Sequence, residues 1–186
     1  MPDNKVKFGL KNAHYAKVTD TGYGAPVAFP GQVSLTLKPK GERGEFYADD
    51  VAYFTKDANQ GYEGEMTIAD IPVSFLKDCL GFTEDDNGAL FEHADAAQTQ
   101  FALLFEVQGD QQPRRFVFYE CLAARPNVDA NTVKGAIEPT TDTLSFVASP
   151  RQADGMVKAV LVKSELNEAA YTGFYTTVYE FAAPVG

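Results

Sequence analysis

Apolar and polar positions alternate with period two along most of the chain. In "QVSLTLKP", Val33, Leu35 and Leu37 share one face while Ser34, Thr36 and Lys38 take the other, the pattern of a half-buried strand. "DDVAYFTK" sets Val51, Tyr53 and Thr55 against Ala52 and Phe54. "YEGEMTIA" sets Gly64, Met66 and Ile68 against Glu63, Glu65 and Thr67, which leaves two carboxylates on one wet face. "FALLFEVQGDQQPRRFVFYEC" reads as a hairpin: Phe101, Leu103, Phe105 and Val107 alternate, Gly109 to Pro113 reverses the chain, and Phe116 and Phe118 return. Leu144, Phe146 and Ala148 continue the period, as do Val157, Ala159 and Leu161, and Gly173 introduces a last β-rich run, "TGFYTTVYEFAAP". About seven or eight strands are expected, enriched in the Thr, Val, Tyr and Phe that strands favour.

Helical spacing is scarce. "DIPVSFLKDCLGF" is the best case: Asp70 is placed to cap free N–H groups, Pro72 sits near the first turn and Gly81 stops the helix. Val73, Leu76 and Leu80 form its stripe, with Phe75 and Cys79 beside them, so one helix at about 71–80 is expected to cover a sheet. "SELNEAAY", Ser164 to Tyr171, offers a shorter helical turn. No repeat or low-complexity tract interrupts the chain, and its 186 residues suit a single domain with its own core.

Charge narrows the function classes. Against 16 Lys and Arg stand 26 Asp and Glu, a formal net charge of -10, and the longest basic cluster is "PRR" at Pro113 to Arg115. Phosphate binding draws on concentrated Lys and Arg, so low nonspecific nucleic-acid affinity is expected. Cys79 and Cys121 stand far apart without a CxxC and read as two reduced thiols in or near the core. No apolar run approaches the roughly 18 residues that span a bilayer, and the N-terminus shows no signal-peptide segment. Synthesis and assembly in a cytoplasm, without a membrane partner, are expected.

"EDDNG", Glu84 to Gly88, superficially resembles a calcium loop, but the twelfth position counted from Thr83 is Ala94, where a bidentate glutamate is required. An Asn-Gly hairpin turn fits it better. His14 and His93 have no second histidine at a ligand or triad spacing; a metal or acid-base role for His93 would draw on Glu92 and Asp95. Asp49 and Asp50 point oppositely in an extended chain and make no carboxylate pair by themselves. There is no GxGxxG, Walker loop or GxSxG, so no enzyme, metal or cofactor is expected. Gly61 and Gly64 in "NQGYEGE" suggest a turn or bulge and a backbone position where no side chain fits.

Five stretches taken together carry a resemblance: "VKFGLKNAHYA" at Val6 to Ala16, "FPGQVSLTLKPKGE" at Phe29 to Glu42, "FYADDVAYFTKDANQGYEGEMTIADIP" at Phe46 to Pro72, "FALLFEVQGDQQPRRFVFYECLAARP" at Phe101 to Pro126, and "EPTTDTLSFVASP" at Glu138 to Pro150. In order, from about Lys5 to Tyr179, the chain resembles the major tail protein (tail tube protein) family of long noncontractile-tailed phages of Gram-positive hosts. The family pattern "YADNxxYF…NxGYEG" is met by Tyr47 to Phe54 and Asn59 to Gly64, with Asp50 where asparagine is common.

The resemblance implies a mainly β fold of two packed antiparallel sheets, sandwich- or barrel-like, with one flanking helix. It implies an N-terminal arm with the start of the domain over 1–15, and a single tail-tube β domain over 16–183 that includes an inter-ring contact loop at about 38–50. Six copies would form a ring and rings would stack into a tube. The tube would enclose the tape-measure protein, meet tail terminator and distal tail proteins, and conduct double-stranded DNA during ejection. Its place is the virion, after assembly in host cytoplasm. Phe8, Phe46 and Tyr47 are the expected inter-ring contacts. Glu63 and Glu65 are expected to face the lumen and make it electronegative, so that phosphate meets few sticking points. The alternatives are an inner-tube subunit of a contractile tail, tail-like bacteriocin or injection apparatus, a monomeric sandwich binding module, and a hydrolase using Asp49, Asp50 or His93.

Overall fold

The computed structural model describes residues 6–48, 51–109, 112–130, 132 and 139–182, and within 43–57 the backbone alone. Its elements open with β1 (Lys7–Thr19), β2 (Gly22–Tyr23), β3 (Val27–Ala28) and β4 (Gln32–Pro39). There follow β5 (Arg43–Ala48), β6 (Val51–Asp57), β7 (Tyr62–Ile68), α1 (Val73–Leu80), β8 (Thr83–Glu84) and β9 (Leu90–Phe91). The chain continues through β10 (Phe101–Gly109), β11 (Arg114–Ala123), β12 (Asp142–Ser149), β13 (Lys158–Val162) and α2 (Glu168–Thr172).

One antiparallel path, β2-β1-β10-β11-β12-β7-β4, folds over into two packed layers, with β3 added to β1 and β13 to β11. Strand β11 makes the corner. Its first half, Arg114 to Phe118, pairs with β13, and its second half, Glu120 to Ala123, pairs with β12. Between those halves a register shift opposite Phe101 and Leu103 lets the strand pass from one layer to the other.

The core between the layers joins Tyr15, Phe101, Leu103 and Phe118 to Met66, Ile68, Leu144 and Phe146. Helix α1 closes one end: the Phe75 ring stacks on Phe29 at 4.7 Å and meets Tyr15 and Phe101 edge-on at 5.1 Å each. The Tyr15 hydroxyl donates to Asp78 Oδ2 at 2.9 Å, tying β1 to the helix.

A second core lies on the other face of β1, β10, β11 and β13, where Ala16, Ala102, Leu104, Val117 and Leu161 are covered by Tyr171 and Phe174. Strand β10 is therefore buried on both faces from Phe101 to Glu106. The continuous run "FALLF" fits a strand covered on two sides better than simple alternation does.

From Lys7 the segment expected to hold the arm and the start of the domain runs as β1, laddered to β10 from Lys7↔Gly109 to Lys17↔Phe101. Other expectations are corrected. The segment assigned to a loop at 38–50 is the end of β4 and then β5, which pairs with β6 as a two-stranded ribbon. Val33 leaves the apolar face because a bulge between Gln32 and Ser34 turns it out, 63% exposed, while Leu35 and Leu37 stay half-buried.

Helix α1 starts at Val73 with Pro72 as N-cap and no side-chain cap, so Asp70 does not fill that role. Its buried face is Phe75, Cys79 and Leu80, with Val73 exposed, because the aromatic ring claims the core. Gly81, left-handed at φ 76°, ends it as expected. The "TGFYTTVYEFAAP" run is not a strand among its described residues: after α2 it forms turns and irregular chain that lay Phe174 onto the second core.

Candidate functional site

The polar face of the β4-β7-β12 layer follows directly from strand pairing. On β7 the residues alternate: Gly64, Met66 and Ile68 are buried, while Glu63 and Glu65 are exposed. Glu63 lies between Lys38 of β4 and Val147 of β12, and Glu65 between Thr36 and Ser145. Thr67 follows between Ser34 and Thr143. Thr36, Lys38, Glu63, Glu65, Ser145 and Val147, with Leu122 of β11 and Ala124 just after it, line a shallow hollow of roughly 400 Å³. Glu63 is not a bare carboxylate, because Lys40 Nζ stands 3.7 Å from its Oε1. Both groups are largely solvated, so this pair is worth at most about 1 kcal/mol.

The buried side of the same strand is held by absence of side chain. Gly64 stands opposite Phe146 on β12, and a Cβ at Gly64 would fall well inside contact distance of that ring. Gly61, at φ 98°, is pressed against the Ala148 carbonyl in the same way. Its N–H donates to Asn59 Oδ1 at 3.1 Å.

Phe8 is in β1, 54% exposed, and shares a groove with Leu10, Leu35, Leu37, Phe105 and Val107 at the seam between β1 and β4. Phe46 and Tyr47 belong to β5, opposite Phe54 and Ala52, and their side chains lie outside the described residues. So do Asp49 and Asp50 altogether. The seven expected site residues thus fall at four places: Glu63, Glu65 and Gly64 on β7, Gly61 at the foot of the ribbon, Phe8 at the seam, and Phe46 and Tyr47 on β5.

Several other titratable groups have structural partners. Asp85 accepts N–H bonds from Asn87 at 2.9 Å and Ala89 at 2.8 Å within the β8-β9 hairpin. Chiefly the Ala89 bond holds its carboxyl below the ordinary range. Gly88, at φ 79°, completes that turn. His14 Nδ1 is 3.0 Å from the Asn12 carbonyl, and its ring lies against Tyr175. His93 is exposed, and its neighbour Glu92 pairs with Arg125 at 2.9 Å. Among the described residues no group of three or more His, Cys, Asp or Glu is placed to hold a metal ion. Cys79 and Cys121 are buried free thiols; burial first of all pushes Cys79 up to about 12 and raises Cys121 as well.

Sequence reasoning missed the most buried charge pair among the described residues. Glu106, 5% exposed, accepts from Arg115 Nε at 3.0 Å across the β10-β11 ladder. The guanidinium lies over the Tyr171 ring at 3.8 Å and the Tyr175 ring at 4.9 Å, and also donates to the Tyr171 carbonyl. The signal was available: pairing Phe105 with Phe116 in the expected hairpin puts Glu106 opposite Arg115.

No protein-family model matches the chain, and no curated protein matches it. Among solved structures, it is similar to a chain in the cryo-EM structure of the anti-feeding prophage baseplate, 6-fold symmetrised, with TM-score 0.50 and 9% identity over 87% of this chain and 97% of that one. A chain in the cryo-EM structure of the anti-feeding prophage tube-terminating cap is matched over the same shares, with TM-score 0.45 and 8% identity. What this chain shares with the baseplate chain is the fold: mainly β, two packed antiparallel sheets and a flanking helix.

Proposed function

We propose that this chain is a repeated structural subunit of a phage tail tube, six copies closing into a ring and rings stacking into a tube. The observation that carries the reading is a fold shared nearly end to end with a chain of a six-fold baseplate. The unlike outer edges of β4 and β13, which pair only with β7 and β11 among the described residues, suit head-to-tail closure of a ring. Phe8, Phe46 and Tyr47 make contacts between rings.

The tube encloses the tape-measure protein during assembly, meets tail terminator and distal tail proteins at its ends, and passes double-stranded DNA on ejection. It is a virion component assembled in host cytoplasm. Glu63 and Glu65 face the lumen. Six chains at -10 carry a formal charge of -60, yet on this face Lys38 and Lys40 balance the two glutamates. The lining is therefore a hydroxyl-rich surface of mixed charge with no concentrated Lys and Arg to hold phosphate.

A second reading, a tube or baseplate subunit of a contractile tail, tail-like bacteriocin or injection apparatus, is favoured by the prophage baseplate similarity itself. Sedimentation velocity over a wide concentration range, with negative-stain images of the concentrated sample, tests both readings. Six-fold rings or tubes are expected. A monomer at every concentration refutes the assembly and returns the sandwich to a binding module.

A further inference from the structure

The join between the β4-β7 pair and the β5-β6 ribbon is built more tightly than a loop. The last register pair of the sheet is Pro39↔Tyr62 and the first of the ribbon is Arg43↔Asp57. Between them, Lys40 to Glu42 on the outgoing strand oppose Ala58 to Gly61 on the returning one, so the returning strand carries one residue more. Even so, the backbone bonds cross the gap: Lys40 N–H to Gly61 O at 2.8 Å, Gln60 N–H to Lys40 O at 2.9 Å and Ala58 N–H to Glu42 O at 3.0 Å. One unmatched residue in a laddered pair bends the strands and raises their twist.

Two glycines make the bend possible. A Cβ at Gly41 would overlap the Ala58 carbonyl oxygen, and one at Gly61 would overlap the Ala148 carbonyl oxygen of β12. Gly61 also holds a φ of 98° that side chains disfavour. The bend is flanked on the sheet side by Lys40 to Glu63 and by Lys158 Nζ donating to Tyr62 Oη at 2.7 Å. Hydrogen bonds across the join, the wedge against β12 and these side-chain ties each oppose free swinging.

We infer that the Gly41/Gly61 join is a fixed-angle elbow, which holds the β5-β6 ribbon as a rigid arm and aims it away from the β4-β7 sheet. Gly41, Asn59 and Gly61 are positioning residues for that arm. The consequence for stacking, that arm direction governs the contact between rings, rests on the assembly reading; the elbow itself is a property of the single chain. With six residues in β5 the arm is about 20 Å long, and a change of about 15° in the bend moves its tip by about 5 Å.

Spin labels on Ala52→Cys, near the tip, and Asp86→Cys, on the β8-β9 turn, read this angle by pulsed dipolar spectroscopy on dilute protein. Cys79 and Cys121 are buried and stay unlabelled. One narrow distance distribution is expected for the parent, a displaced maximum for Gly41→Ala, and a broadened one for Asn59→Ala, which removes the Asn59 to Gly61 bond at an exposed site. Gly24→Ala, which meets only the Lys17 carbonyl at an ordinary 3.5 Å, leaves it unchanged.

A broad parent distribution overturns the elbow, as does a distribution left unmoved by both Gly41→Ala and Asn59→Ala. If Gly41→Ala does not fold, Asn59→Ala decides alone. The same variants are then imaged after concentration. Displaced arms with intact tubes sustain the elbow and remove its role in stacking, whereas a parent that never forms rings removes the assembly reading and leaves the elbow standing.

Discussion

Gly64→Val is the perturbation whose size follows most directly from the structure. Gly64 is buried at the middle of β7, and Phe146 sits across from it in register with its ring over the glycine. Phe146 is 3% exposed and lies 6.2 Å from the Phe101 ring, so it has no open space to enter. Forcing carbon into such a site costs about 1–3 kcal/mol. Replacing a strand glycine returns roughly 0.5–1 kcal/mol of backbone entropy. Alanine should therefore destabilise by about 1 kcal/mol and valine, with two more methyl groups, by about 2 kcal/mol. In a chain of this size each kcal/mol lowers the melting temperature by roughly 2–4 °C, which gives a fall of about 4–8 °C for valine.

Thermal and urea unfolding of Gly64→Val, Phe146→Leu and the double variant supply the test. Removing the ring first should spare the glycine substitution much of its cost, a coupling of at least about 1 kcal/mol. An unchanged melting temperature for Gly64→Val, or strictly additive effects, would refute the claim that the ring excludes a side chain there.

Arg115→Ala should destabilise by about 3–5 kcal/mol because it strands the buried Glu106, and it should make the segment over 164–182 the first site of limited proteolysis, read by mass spectrometry. Burial pushes Tyr15 and Tyr119 up to about 12 from an ordinary 10.0, so their native hydroxyls keep protons that the unfolded chain releases. Their contribution to stability is fully present below pH 10 and lost as pH rises through about 12; unfolding curves in that window, with absorbance at 295 nm, check the sign. Tyr119→Phe, which removes the 2.9 Å bond to the Tyr179 carbonyl, should cost about 1 kcal/mol in urea unfolding. Changing both Glu63 and Glu65 to Lys should leave unfolding nearly unaltered while slowing DNA ejection at low salt more than at high salt, measured on phage carrying the double substitution.

Alternation was legible wherever a strand has one wet face. Leu144, Phe146 and Ala148 are all buried on β12, and β7 divides as its sequence suggests. The pattern failed where context overrode it. Val33 carries the right residue at the right period, but a bulge one position long is invisible to alternation. Tyr, Thr, Phe and Val after Gly173 suit a strand by composition, yet β-propensity records fit to a half-buried surface, and Ala16 and Ala102 offer that surface to an irregular segment instead. On α1 the spacing allowed more than one face, and packing of Phe75 against Tyr15, Phe29 and Phe101 chose among them. Of the candidate site, the polar row of Glu63 and Glu65 was legible, but the lysines beside it were not, because Lys38 reaches Glu63 only through register and Lys40 only through the bend.

A cryo-EM map of the assembled protein decides whether this chain builds a tube. Six-fold rings stacked into a tube are expected, with the β4-β7-β12 layer turned inward and density for Glu63 and Glu65 on the lumen wall. Rings that place this layer on the outer wall, or an absence of any closed ring in concentrated protein, would contradict that arrangement.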